Sequence, residues 1–171
     1  DLKLSALLNL DNNVVVWSDL APFNQVRGTV RITEDLPRFE QVSAEFFGGT
    51  VNMRYNTAQS QTKQDLYDLN GTIDVDRLER HYANQVGRQS QQLLKALDGK
   101  AGFKGRLAIT SKSTDLNLDL DLNGLSTALP EPLNLKKGNK LNGVFRYQST
   151  ASEGAPKRVA QWSAQIGKTI T

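Results

Sequence analysis

"TDLNLDLDLNGLSTALPEPL", residues 114–133, begins in near-perfect alternation. Leu116, Leu118, Leu120 and Leu122 take every second position, and Asn117, Asp119, Asp121 and Asn123 take the positions between. Side chains on a strand alternate faces, so the leucines point one way and the polar groups the other. The sheet that holds this strand has an apolar face, and what covers that face decides the function.

The same period of two recurs along the chain. Val26, Gly28, Val30 and Ile32 share one face, as do Val42, Ala44 and Phe46, then Val51, Met53 and Tyr55. Leu69, Gly71, Ile73 and Val75 follow, then Phe103, Gly105, Leu107 and Ile109. After the leucine strand come Leu141, Gly143, Phe145 and Tyr147, and last Ala160, Trp162, Ala164 and Ile166. Residues 2–10 and 14–16 predict one or two further strands at the start. Turn-rich separators such as "EDLP", "FFGG", "SKST", "LPEPLN", "KKGN" and "SEGAP" divide these runs. A loose repeat, "VRGTVRI", "LNGTIDV", "FKGRLAI" and "LNGVFRY", sets a glycine on the apolar face two residues before an apolar side chain. Glycine there either tolerates a strand start or admits a bend and the close approach of another backbone.

Residues 76–99, "DRLERHYANQVGRQSQQLLKALDG", break the rhythm. Leu78, Tyr82, Val86, Gln89, Leu93 and Leu97 follow steps of four and three, which predicts a helix over about 76–98. Asp76 with Glu79 has capping-box spacing, and Gly99 supplies a stop.

The chain has 171 residues, enough for a single domain with a sizeable core, and 38% of them are hydrophobic. No apolar run approaches the ~20 residues of a membrane-spanning helix. The start lacks the basic and small-residue features of a signal peptide, so any anchor or export signal is expected outside the sequence shown. The absence of cysteine excludes disulfides, thiol catalysis and cysteine metal sites. The formal charge of +3 is uneven: Lys136, Lys137, Lys140, Arg146, Lys157, Arg158 and Lys168 face only Glu153 in the last segment. A solvated face accounts for such a run, and anionic lipid or nucleic acid is the alternative partner.

Motifs that carry chemistry fail on inspection. Asp119, Asp121, Asn123 and Gly124 imitate the start of an EF-hand loop, but Pro130 stands where the chelating glutamate belongs. "GKT" at 167–169 lacks the leading glycine of a phosphate loop, since Trp162 occupies that place. "NGT" at 70–72 is a glycosylation sequon whose glycine equally fits the strand repeat. His81, the single histidine, lies off the apolar stripe and reads as a solvated surface residue. Asp119 and Asp121 share a strand face with no sign of the cleft a glycosidase pair needs. The aromatics Phe103, Phe145, Tyr147 and Trp162 fall on the apolar face, against nucleic-acid binding. No catalytic residue, metal site or cofactor is expected.

The predicted apolar face exceeds its cover. At least eight strands offer about three inward apolar side chains each. A helix of some 22 residues is about 33 Å long and carries five apolar residues on its stripe. The sheet must sandwich, close into a barrel or fold into an open trough.

Several phrases taken in order resemble the central region of the YhdP proteins, in the AsmA-like superfamily that also holds TamB. The strongest are Phe47-Gly48-Gly49-Thr50-Val51, Gly105-Arg106-Leu107, and Leu122-Asn123-Gly124-Leu125 followed by Leu129-Pro130-Glu131-Pro132-Leu133. The resemblance covers residues from about 20 to 150. The residues predict a mainly β domain with one amphipathic helix, and the resemblance implies that its curved antiparallel sheet folds taco-like around an open apolar groove. It further implies a non-enzymatic segment of an inner-membrane-anchored periplasmic protein of the Gram-negative envelope, along which phospholipids move toward the outer membrane. On this reading, residues 1–171 are one groove domain excised from a longer chain. Its expected partners are acyl chains and, at both sheet edges, the rest of that chain; the raw edges also predict edge-to-edge self-association. Val30, Ile32, Phe103, Leu107, Ile109, Leu116, Leu118, Leu120, Leu122, Phe145, Tyr147 and Trp162 are the residues expected to line the groove. The alternatives are a closed β-sandwich serving as a structural module, and a barrel-pocket carrier of a single ligand.

Overall fold

The computed structural model describes residues 5–16, 21–32, 37–59, 64–82, 92, 95–129, 134, 136–138, 140–151 and 158–168. Ten strands form one antiparallel sheet. They are β1 (Ala6–Val15), β2 (Phe23–Ile32), β3 (Arg38–Phe46), β4 (Gly49–Tyr55), β5 (Asp65–Asp74), β6 (Leu97–Ile109), β7 (Ser113–Asp121), β8 (Leu125–Thr127), β9 (Leu141–Ala151) and β10 (Arg158–Lys168). One short helix, α1 (Val75–Tyr82), sits between β5 and β6. The spatial order is β1-β2-β3-β4-β5-β6-β7-β9-β10, with β8 paired only to β6. β1 and β10 are the two edges and do not meet, so the sheet is open; neither the sandwich nor the barrel forms.

The register carries the alternation of the leucine strand across the sheet. Leu118 faces Gly105 on one side and Phe145 on the other, and Phe145 faces Ala164. Gly105 faces Leu69, which faces Met53, which faces Val42, which faces Gly28. Every member of this row except the two glycines is an apolar side chain on the same face. The next row runs Val51, Gly71, Phe103, Leu120, Gly143 and Ile166. The repeated glycines therefore fall in two adjacent rows. At Gly28, Gly71 and Gly105 a Cβ would run into the carbonyls of Gln41, Thr50 and Asn117 on the neighbouring strand, which favours close backbone approach over mere tolerance of glycine. Gly143 is looser, with the Gln165 carbonyl 3.0 Å from where its Cβ would lie.

The helix differs from expectation in two ways. Its described part begins at Val75, and the side chain of Asp74, not Asp76, accepts the N–H of Asp76 at 3.1 Å. Two acids two residues apart both suit the start, and the earlier one takes the cap because β5 ends there. Leu97 and Gly99 belong to β6 rather than to the helix end, with Leu97 opposite Thr127 and Gly99 opposite Leu125. Val86, Gln89 and Leu93 of the expected stripe lie outside the described residues. Eight residues make a marginal helix alone, so packing holds it. Val75 is buried, and Arg77 pairs with Glu45 of β3 at 3.3 Å.

Beyond β7 the chain turns at Leu122–Gly124 and resumes beside β6 as β8. Asp121 Oδ1 accepts the N–H of Asn123 at 3.0 Å, and Asn123 Oδ1 accepts the N–H of Leu141 at 2.8 Å. These bonds give the EF-hand look-alike a structural role: its side-chain oxygens fold a turn. The turn places Leu122 and Leu125 together with Val75, Ala101 and Leu141 in one buried cluster, flanked by Ile73, Leu97 and Leu120. A second cluster, Val26, Val42 and Ala44 with Leu10, Val15, Phe23, Phe39 and Met53 against it, lies under β1–β4.

Candidate functional site

The apolar face is the candidate site, and its two strand ends differ. At the end where β5 finishes and β6 begins, protein covers protein. The cluster of Val75, Leu122, Leu125 and Leu141 closes the part over β5–β9. Over β2 and β3, Phe23 stacks on Phe46 with centroids 4.3 Å apart, Phe46 meets Phe47 at 4.3 Å, and Phe47 lies 5.8 Å from Tyr82 of α1. Phe47 and Gly48 form the β3–β4 turn with φ of 46° and 68°. Both are positive, as a two-residue hairpin of this hand requires. The unusual left-handed phenylalanine holds its ring against the helix, where His81 also packs at 5.5 Å while staying exposed.

At the opposite end a polar group enters the apolar face. Arg38 Nε meets Asp65 Oδ1 at 2.9 Å, and the Tyr55 hydroxyl donates to the same oxygen at 3.2 Å. The Arg38 guanidinium lies 5.7 Å from the Tyr55 ring centroid. Tyr67 is 1% exposed. Burial pushes its phenol from 10.0 up to about 12, with the Asp65 carboxylate adding to the shift. Ser149 is buried in the same terminal row, which runs Asp65, Ile109, Thr114, Ser149 and Ala160.

Between these ends the face is only partly shielded. Of the expected lining residues, Phe103, Leu107, Ile109, Leu116, Leu118, Leu120, Phe145 and Tyr147 are half-buried and share one face. Ile32 is 45% exposed and Trp162 is 72% exposed. Val30 and Leu122 are buried by protein. Phe103 lies over Gly71, its ring 2.7 Å from where a Cβ would stand. The register adds Met53, Tyr55, Tyr67, Leu69 and Ile166 to the same face, each legible as an alternating position but not singled out by sequence. Ile166 is 64% exposed.

Two hollows lie mainly over the other face. One of about 1090 Å³ is bordered by Asn52, Asn70, Lys104, Asp119, Asp121 and Asn142, and another of about 440 Å³ by Arg106, Asn117, Arg146 and Gln148. Amides and charges line them together with Phe103, Leu120 and Val144 in the first and Leu116, Tyr147 and Trp162 in the second, and Asn52 bonds Asn70 at 3.2 Å across the first. An acyl chain there would strip water from polar groups without replacing it, so the polar face does not suit one. Among the described residues no group of acids and histidines is placed to hold a metal ion, and no helix is long and apolar enough to cross a membrane.

A family model described as YhdP protein matches residues 3–168. The chain belongs to the YhdP family. No curated protein matches the chain, and no solved structure does. The family is not known as enzymatic, and membership is consistent with a protein connected to lipid transport. The motif Leu122-Asn123-Gly124-Leu125 that carried the resemblance is the turn that fills the sealed end. Phe47-Gly48-Gly49 is the hairpin on which α1 docks. Leu129 is described, but residues 130–133 of the proline motif lie outside the described residues.

Proposed function

We propose that the apolar face of this YhdP sheet is a non-enzymatic contact surface for phospholipid acyl chains, in a periplasmic segment of an inner-membrane-anchored protein that moves lipid across the envelope. The observation that supports it most is the mismatch on that face. Leu116, Leu118, Leu120, Phe145 and Trp162 remain wholly or partly exposed on an open sheet whose helix and short β8 pack at one end only. Fully covering a leucine or phenylalanine is worth roughly 1.5–3 kcal/mol, so a row of them left to water favours an apolar occupant. The face closes into a groove around that occupant, with Gly71 and Gly105 as the places where strands come close enough to bend. The exposed edges β1 and β10 join further strands of the same long chain, and an isolated segment self-associates through them.

Mass spectrometry of an organic extract from protein purified without detergent tests this reading. Phospholipid in the extract is expected, lost in Leu120→Asp and kept in Asp121→Leu, because Asp121 faces the polar side. A lipid-free extract, or equal loss in both variants, would count against it.

A further inference from the structure

The order of side chains along each strand assigns a direction to the bound lipid. Tyr55 faces Tyr67, Tyr67 faces Leu107, Leu107 faces Leu116, Leu116 faces Tyr147, and Tyr147 faces Trp162. Three tyrosines and a tryptophan thus occupy one inward row across six strands. Beyond that row, toward the strand ends, lie Asp65 with its Arg38 partner, Thr114 and Ser149. Behind it the rows hold Leu69, Leu118 and Phe145, then Phe103, Leu120 and Ile166, and finally the sealed cluster of Val75, Leu122, Leu125 and Leu141.

Tyrosine and tryptophan have an apolar body and a polar tip, and they concentrate where an apolar region meets a wet one. A phospholipid presents the same sequence of environments: charged headgroup, glycerol boundary, hydrocarbon. The length of the face suffices. Tyr67 to Ile73 spans about 20 Å at ~3.4 Å per residue, against ~15 Å for one leaflet of a bilayer's hydrocarbon core. Over β5–β9 the opposite end is closed by Val75, Leu122, Leu125 and Leu141, and its tyrosine and ion pair, Tyr82 and Arg77–Glu45, lie to one side by the β3–β4 hairpin.

We infer that phospholipids lie across the sheet with headgroups at the Tyr55–Tyr67–Tyr147–Trp162 end and acyl termini at the end closed by α1 and β8. This rests on the lipid reading above and adds the polarity of the site. The anionic phosphodiester sits beside Tyr147 and Trp162, while Leu118 and Leu120 meet the middle of the chains.

Two photoreactive phospholipids distinguish the outcomes, one with a diazirine on the headgroup and one with a diazirine at the acyl terminus. Each is crosslinked to the intact 171-residue chain and the labelled positions are mapped by peptide mass spectrometry. The headgroup probe is expected on Tyr55, Tyr147 and Trp162, and the acyl-terminal probe on Phe103, Leu120 and Ile166. Replacing Tyr147 and Trp162 together by leucine is expected to lower headgroup labelling about fivefold while acyl-terminal labelling persists. Headgroup labelling at the α1 end, or the same pattern from both probes, overturns the direction and leaves lipid binding standing. No labelling by either probe overturns both.

Discussion

The two ends of the strands solve the same problem differently. At the α1 end, Leu122, Leu125, Leu141 and Val75 bury one another, and each is 6% exposed or less. At the aromatic end Tyr67 is buried beside an ion pair, while Trp162 in the same row is open to solvent. The first end is a finished core. The second has the composition of a boundary, with charge and hydroxyls set at the margin of an apolar surface. Leu120 and Leu122 sharpen the contrast: two residues apart on one face, the first is half-exposed and the second shielded. Among the described residues, α1 and β8 supply cover at one end only.

Truncation should expose this difference most strongly. Leu125→Ala is expected to destabilise the fold by about 3 kcal/mol, as for a filled core, and Leu118→Ala by about 1 kcal/mol. Urea denaturation midpoints in lipid-free protein check the pair; equal losses would erase the distinction between core and open face. The ion pairs should diverge as well. Arg38→Gln leaves the Asp65 carboxylate buried without its cation and should cost about 3 kcal/mol. At the other end Lys137 holds Asp98 at 3.0 Å and draws its carboxyl below the usual range. Both groups are exposed, so Lys137→Gln should leave the denaturation midpoint where it is.

The rows between the ends depend on glycine. Gly105→Ala drives a methyl group into the Asn117 carbonyl and to 2.8 Å from Leu118 Cα. A loss of about 2 kcal/mol is expected. Gly167 has nothing within 4 Å of a Cβ, and Gly167→Ala should change stability by less than about 0.5 kcal/mol. The smallest effect at neutral pH belongs to Tyr67. Its folded pKa of about 12 lies above the ordinary 10.0, so the neutral phenol is favoured by folding. That stabilisation is intact below pH 10 and is lost as pH rises toward 12, at about 1.4 kcal/mol per pH unit. Tyr67→Phe should flatten this alkaline limb in a stability-against-pH series, whereas a variant at the sealed end should not.

Much of this was legible in the chain because a strand's period depends on local sequence alone. The alternation of Leu116–Leu122 predicts which side chains share a face, and the repeated glycines mark where strands come close. The closure of the sheet's one end was not legible. Leu97 fits a helical stripe as well as a strand start, and only pairing with Thr127 across β8 decides it. Asp76 looked like a cap until the end of β5 gave the place to Asp74. The aromatic row was hidden for another reason. Tyr55, Tyr67, Tyr147 and Trp162 come from four strands, and register, which sequence spacing leaves open, brings them into line. The Arg38–Asp65 pair, 27 residues apart, depends on the same register across β3, β4 and β5.

Paramagnetic relaxation of leucine methyl groups by a phospholipid carrying a nitroxide in mid-chain tests the central claim most directly. With stereospecifically labelled leucines, the methyl signals of Leu116, Leu118 and Leu120 should broaden strongly, and those of Leu125 and Leu141, shielded within the cluster, should broaden less. Uniformly sharp methyl signals, or equal broadening of the shielded and open leucines, would contradict a sheet that leaves its apolar face for lipid to cover.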